Sequence, residues 1–455
     1  MGKSKITHLG AGLVLFILCF VSNGMAAYNK YEDDSRAQRN SEKTVFSSVA
    51  DSPSYLIKAL KLSLKNSLLW IETYHVTDKF SYYYKKITDK GIYPGVTDIG
   101  DRHNMPSGIE FDYGIYGSAS RGSNTPFAIQ YRDYIAPFIE GTAETVLINA
   151  WAKADQNRYR DFGFQKTVNG IFLSDYYTKG TLRYQDAPRE DYFGEGPNLS
   201  VGSGYSFSVS EISFSTAIGR EFINGIKAEI GAIISSVEID DAKDSDKRNI
   251  LSLSNLKGGS GADLFGLGFS VEHDTRDSVL DAKRGGYERI KVNYYDGING
   301  DDFQYCKLQF DIAAYLPVGE WFNFLYWDSA FAMRLGGEVN KDVNDGHIPF
   351  FDLAKLGGEE TLRGYQYNRF FDENSLYYSF EYRYNIWGAR EYKVDASLFF
   401  DCGWIFDEFS EFESDKYKES YGVVFRVILP GITVALTGAH SDDGTEIFLK
   451  AKPIF

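Results

Sequence analysis

The chain of 455 residues has little of what builds metal or disulfide sites: three Cys, four Met and six His. It is also short of positive charge. Its 48 Lys and Arg face 63 Asp and Glu, for a net charge of −15. A nucleic-acid binder needs a basic face, so that partner class is set aside. No run of about 18 apolar residues occurs, and mean hydropathy is −0.31, so membrane-crossing helices are not expected. The material for catalysis is thin as well. There is no G-x-S-x-G and no nucleotide-binding motif, and His75, His103, His273, His347 and His440 do not fall beside a supported Ser and acid. The chain therefore reads as a non-enzyme without cofactor or metal. What it does have is 34 Phe, 33 Tyr and 44 Gly, a composition that suits strands and turns.

The first residues read as an export signal. Lys3 and Lys5 precede an apolar core from Leu9 to Val21, and Ser22-Asn23-Gly24-Met25-Ala26 offers small residues for cleavage after Ala26. A membrane anchor is the alternative, but the run is shorter than the roughly 20 residues a spanning helix needs. Leu18 before Cys19 argues against a lipoprotein signal. Residues 27–105 are expected to form a periplasmic segment. Its first part, 28–53, is polar and disordered. In 54–90, Leu56, Ile57, Leu60, Leu64, Leu68 and Ile71 recur at helical spacing. Gly91-Ile92-Tyr93-Pro94-Gly95 breaks that pattern.

From Gly108 onward the period becomes two. Leu376, Tyr378, Phe380, Tyr382 and Tyr384 alternate with Tyr377, Ser379, Glu381, Arg383 and Asn385. Val394 to Trp404 alternate with Asp395 to Gly403, and Ile290 and Val292 with Arg289 and Lys291. A strand presents alternate residues to one face. A soluble sandwich would turn the apolar face inward and a transmembrane barrel would turn it to lipid. Three features favour the barrel. The polar face is heavily charged. The segments exceed the usual strand of about 5–6 residues. The chain ends in a strand closing on Phe455. The predicted strands are 108–117, 126–136, 143–153, 161–172, 177–186, 203–218, 225–237, 263–274, 286–296, 303–316, 322–335, 375–386, 393–405, 419–429, 431–440 and 445–455. A parity change near Ser210-Glu211 suggests a bulge in the sixth. With the N-terminus periplasmic, most turns on that side are short, 275–285 excepted. The long connections, 187–202, 238–262, 336–374 and 406–418, lie outside. The expected fold is all-β, a sixteen-stranded antiparallel transmembrane barrel over 106–455. Cys306 and Cys402 fall on the lipid parity three strands apart, about 14 Å at strand spacing, too far for a disulfide. Both are expected to be free.

The last part of the chain resembles the BamA/TamA outer-membrane family, the bacterial surface antigen superfamily. Gly266-Leu267-Gly268-Phe269 through Asp274-Thr275-Arg276-Asp277 is similar to its strand ending in D-T-R-D. Lys283-Arg284-Gly285-Gly286-Tyr287, Leu362-Arg363-Gly364-Tyr365, Ser379-Phe380-Glu381-Tyr382-Arg383 and Phe399-Phe400-Asp401-Cys402-Gly403 follow in family order. Asp191-Tyr192-Phe193-Gly194-Glu195-Gly196 matches more loosely. The resemblance implies a sixteen-stranded barrel in a Gram-negative outer membrane. It also implies that Arg363, with Gly364 and Tyr365, tucks a long loop into the lumen and pairs with Glu381 and Asp401. Arginine's planar fork suits a carboxylate. Without the resemblance, Arg363 reads more readily as a solvated loop residue, with the carboxylates facing lumen water. Asp274, Arg276 and Asp277 read as a local turn network at the periplasmic rim. POTRA domains, expected before such a barrel, do not read out of residues 27–105.

Two functions fit. The first is insertion or translocation of proteins, with a seam between Ile109–Gly117 and Glu446–Phe455 opening to template a client strand. Pro453 would keep that seam short, since it lacks a backbone donor, or would only end the ladder. The second is a passive pore or structural surface barrel, whose acidic loop (Asp407, Glu408, Glu411, Glu413, Asp415) could take divalent cations. Expected partners are outer-membrane lipids and lipopolysaccharide, with unfolded outer-membrane clients or a periplasmic protein for the first function. A monomer is expected.

Overall fold

The computed structural model describes residues 145–450 apart from stretches of the connections, and the backbone at 92–94, 108–113, 116–118, 122–124 and 127–135. Sixteen barrel strands follow in chain order. They are β1 (Gly108–Tyr113), β2 (Phe127–Ile135), β3 (Thr145–Ala154), β4 (Arg160–Asn169), β5 (Tyr176–Tyr192), β6 (Tyr205–Glu221), β7 (Ile226–Asp241) and β8 (Gly261–Asp274). Then come β9 (Gly285–Gly297), β10 (Gln304–Leu316), β11 (Ser329–Asp342), β12 (Asn374–Ala389), β13 (Tyr392–Phe406), β14 (Lys418–Leu429), β15 (Ile432–Ser441) and β16 (Gly444–Lys450). Each is hydrogen-bonded to the next, and the pairs with assigned register are antiparallel, from Gly108↔Arg132 at the start to Ser441↔Gly444 at the end. Apart from the end of β12 and the start of β13, the strand residues belong to one compact unit, Gly91–Asn385 with Asp395–Phe455.

One face of the sheet meets a single long loop, residues 343–373. That loop touches β5 through Tyr192 and Phe371, whose ring centroids are 5.1 Å apart. It also touches the β15–β16 turn, where Arg369 Nε lies 2.6 Å from Asp443 Oδ2. A sheet that brings its fifth and last strands to one loop has curled round it into a barrel. The opposite face carries the exposed apolar side chains, among them Phe164, Leu182, Phe214, Ile230, Leu267, Ile290 and Leu398. Polar residues point inward instead, with Glu381 and Asp401 fully buried. This inversion of the soluble pattern is what a lipid-embedded barrel requires. No helix among the described residues is long and apolar enough to cross a membrane.

Two expectations need correction. The eleventh strand continues to Asp342, past the expected end at 335, with Leu316↔Phe331 and Tyr305↔Asp342 in register against β10, while 322–328 lie outside the described residues. Gly336 and Gly337 carry no side chains, so the alternation is invisible there although the ladder continues. The bulge lies not in the sixth strand but in its partner. Ala187 faces Val209 and Glu190 faces Phe207, so Pro188 and Arg189 oppose Ser208. The apparent change of parity at Ser210-Glu211 has another cause: Phe207 and Val209 point inward against an apolar cluster built on the loop.

Cys306 and Cys402 are both free. At the seam, the edge of β1 pairs in parallel with a short strand, Ile92–Pro94, in the register Ile92↔Ile109, Tyr93↔Glu110 and Pro94↔Phe111. No β1–β16 register pair occurs among the described residues. The signal-peptide region, the helical pattern at 54–90, Pro453 and Phe455 lie outside the described residues.

Candidate functional site

The lumen is held by charge. Arg363 Nε donates to Asp401 Oδ2 at 2.9 Å and its Nη2 to Asp401 Oδ1 at 2.6 Å. Nη1 donates to Glu381 Oε2 at 3.1 Å and Nη2 to Ser379 Oγ at 2.9 Å. Asp401 also accepts from the backbone N–H of Arg363 at 3.2 Å, from Ser379 Oγ at 2.6 Å and from Ser420 Oγ at 3.2 Å. The guanidinium lies 3.5 Å from the centroid of the Phe399 ring, a cation–π contact. Glu381 in turn pairs with Arg383 at 3.2 Å and with Arg426, whose Nη1 reaches Asp395 Oδ1 at 3.1 Å. Three guanidinium groups thus balance three carboxylates. A buried ion pair survives desolvation only when its geometry is good and its remaining lone pairs are used, and both conditions hold here.

The neighbours of Arg363 fit the same docking. A Cβ on Gly364 would stand 2.6 Å from Ser420 Cβ and 2.8 Å from the His440 carbonyl oxygen, so only glycine passes this close to the wall. The Gly364 carbonyl accepts from Ser441 Oγ at 2.6 Å. Tyr365 is buried in an apolar cluster with Leu356, Leu362, Phe370, Tyr377 and Ile405. Burial, with Asp442 and Asp443 nearby, pushes its phenol up to about 12.

The loop has further anchors that the sequence reading did not single out. Asp352 accepts from Tyr305 Oη at 2.5 Å and from Lys307 Nζ at 2.7 Å, and Lys307 also pairs with Glu338 at 3.0 Å. Between these charges, Phe350 packs among Tyr192, Phe207, Ile250 and Leu264, filling one end of the lumen with apolar side chains. Lys355 Nζ donates to the Phe351 carbonyl at 2.7 Å, and burial lowers its pKa against the pull of Asp352. At the loop's end, Gly196 N–H donates to the Phe371 carbonyl at 2.8 Å and Tyr192 Oη to Glu195 at 3.0 Å. The loosely matched Asp191–Gly196 stretch therefore forms part of the loop's clasp. Lys307 carried a signal, since it sits on the inward parity of a predicted strand, whereas Glu338 lies past Gly336-Gly337, where the alternation is lost. Asp352 carried none, because a loop has no period.

Asp274, Arg276 and Asp277 lie at the opposite end. Arg276 grips Asp274 with Nε at 2.9 Å and Nη2 at 2.6 Å, and its guanidinium stacks over Tyr287 at 4.8 Å. Asp277 Oδ1 accepts the N–H groups of Lys283 and Arg284 at 2.9 and 3.3 Å. Gly285, at φ 88°, follows; a Cβ there would stand 2.0 Å from the Thr275 carbonyl oxygen. The connection folds back so that the Ala282 carbonyl accepts from Arg383 Nη1 at 2.9 Å, linking this turn to the arginine network.

Comparison with known proteins places these features. Residues 139–436 match the Omp85 superfamily domain. The fold is similar to that of BamA from Haemophilus ducreyi lacking POTRA domains 1-3, with a TM-score of 0.56 at 12% identity over 82% of this chain and 78% of that one. It is also similar to CdiB from Escherichia coli, with a TM-score of 0.50 at 14% identity over 77% of this chain and 66% of that one.

Proposed function

The chain belongs to the Omp85 superfamily, and from that premise we propose that it assists the insertion or translocation of proteins at the outer membrane of a Gram-negative cell. The action is non-covalent and uses no cofactor. The observation that carries this reading is the seam. β1 has an edge that takes an extended segment by main-chain pairing, as Ile92–Pro94 does in parallel. An edge of unpaired N–H and C=O groups is a template for a further strand. The loop bearing Arg363 is fixed to β12, β13 and the β15–β16 turn. It holds the C-terminal side of the seam rigid while β1 exchanges partners. Clients would be unfolded outer-membrane proteins, with lipids and lipopolysaccharide around the barrel and a monomer as the working unit.

A second reading, a structural surface barrel without insertase activity, draws on the apolar cluster around Phe350, which closes one end of the lumen. Purified full chain in liposomes separates the two. Accelerated folding of an unfolded barrel client, abolished by a crosslink between β1 and β16, supports insertion. Client folding no faster than in empty liposomes overturns it and leaves the structural barrel.

A further inference from the structure

On β6 the outward-facing residues of the lipid-spanning part are Ser208, Ser210, Ile212, Phe214, Thr216, Ile218 and Arg220. Ile212, Phe214 and Ile218 are each about half exposed, an apolar band bounded by Ser210 above and Arg220 below. Ten residue steps separate these bounds. At roughly 3.3 Å per step and a tilt of about 40°, they lie about 25 Å apart along the barrel axis, the height of an apolar belt. Arg220 therefore stands where the hydrocarbon ends. It lies next to the β6–β7 connection, 222–225, on the side of the short turns.

Its guanidinium is built in rather than free to sway. The Tyr176 ring lies 5.3 Å from it and the Phe222 ring 5.1 Å. Tyr176 is its register partner on β5. Its one acidic contact among the described residues is loose: Asp175 Oδ2 at 3.4 Å from Nη2, on a side chain that is 69% exposed. Nε is buried and has no hydrogen-bond partner among the described residues. An arginine held between two aromatic rings at the foot of a lipid-facing belt, with only a loose, exposed carboxylate beside it among the described residues, is placed to take a further acceptor of negative charge. Phosphate is such an acceptor and binds guanidinium through two parallel hydrogen bonds. Trp and Tyr rings at this depth serve the same boundary.

We propose that Arg220, Tyr176 and Phe222 form a binding site for the phosphate of a glycerophospholipid in the periplasmic leaflet, with the acyl chains lying along Ile218 and Phe214. The site rests on the membrane embedding of the barrel and not on client insertion, so it stands or falls separately. The test is native mass spectrometry of the full chain released from detergent with phosphatidylglycerol. The wild-type protein should retain the lipid. Arg220→Gln should retain about tenfold less, the loss of one charge-assisted hydrogen bond, and Arg220→Lys should recover part of it. Diacylglycerol, which has no phosphate, should bind both proteins equally. Heat-modifiable migration on a gel reports whether each variant has formed its barrel. Should Arg220→Gln fail that check, Tyr176→Leu and Phe222→Leu, which release the guanidinium but keep the apolar surface, take its place. Equal retention by folded variants and wild type overturns the proposal. So does full displacement of the lipid by inorganic phosphate, which would mark a free-phosphate site.

Discussion

Arg363 cannot be removed without leaving Asp401 and Glu381 charged and buried. Breaking such a pair from one side costs about 3–5 kcal/mol, more than most single contacts supply. Arg363→Ala should therefore lower the apparent melting temperature of the barrel in detergent. It should also raise its conductance in a planar bilayer, because the loop loses its deepest hold. Glu373, just before β12, behaves differently. Burial first, then the Asp407 and Asp342 carboxylates, pushes it up to about 7. Its folded pKa exceeds its unfolded one, so the folded state binds the extra proton between these values, and stability falls as pH rises from about 4.5 to 7. Glu373→Gln should remove that slope. Its melting temperature should match wild type near pH 4 and exceed it at pH 8, and parallel curves across this range would refute the assignment.

The loop is an element with two unlike grips. One, around Arg363, is charge set deep in the wall of β12, β13 and β14. The other, around Asp352, pairs charge with the Phe350 cluster at the lumen's end. Asp352→Ala should leave the Arg363 network in place while loosening the apolar end. Brief openings in single-channel recordings, without the sustained conductance expected of Arg363→Ala, would show the two grips to be separable. The first grip was legible in the sequence because its carboxylates sit on strands, where parity assigns a face, and its arginine sits in a motif of family order. Arg383 and Arg426 shared that parity and could have been added. The second grip was not legible. Asp352, in a short 3-10 turn (Phe350–Asp352) inside the loop, meets Lys307 only because the loop folds inward.

At the scale of the whole molecule, period-two alternation was enough to locate all sixteen strands, because one face meets lipid and the other meets charge. It failed where side chains vanish, at Gly336-Gly337. It also misled at Phe207 and Val209, where the lumen is apolar. The seam was placed between the terminal strands by order alone. Sequence gave no sign that Ile92–Pro94 would lie on β1, since three residues carry no period. The inverted surface predicts the behaviour of the two thiols. Cys306 and Cys402 lie on the outward parity and are only partly exposed. In proteoliposomes both should resist a water-soluble maleimide that labels them in urea. Rapid labelling of either in the folded protein would place that strand face in water.

The anchor of Arg363 also sets an order of events. The arginine precedes every group it needs: Ser379 and Glu381 on β12, Asp401 on β13, and Ser420 on β14 to complete the carboxylate's shell. The carbonyl of Gly364 then waits for Ser441, at the end of β15. A chain halted before β13 holds Arg363 without Asp401, beside a sheet whose inner face is still open to water. Such an intermediate is readily cut, whereas the finished barrel shelters the same peptide bonds. Completion of the last strands is thus recorded at the loop, and a protease that patrols the periplasm could read it there.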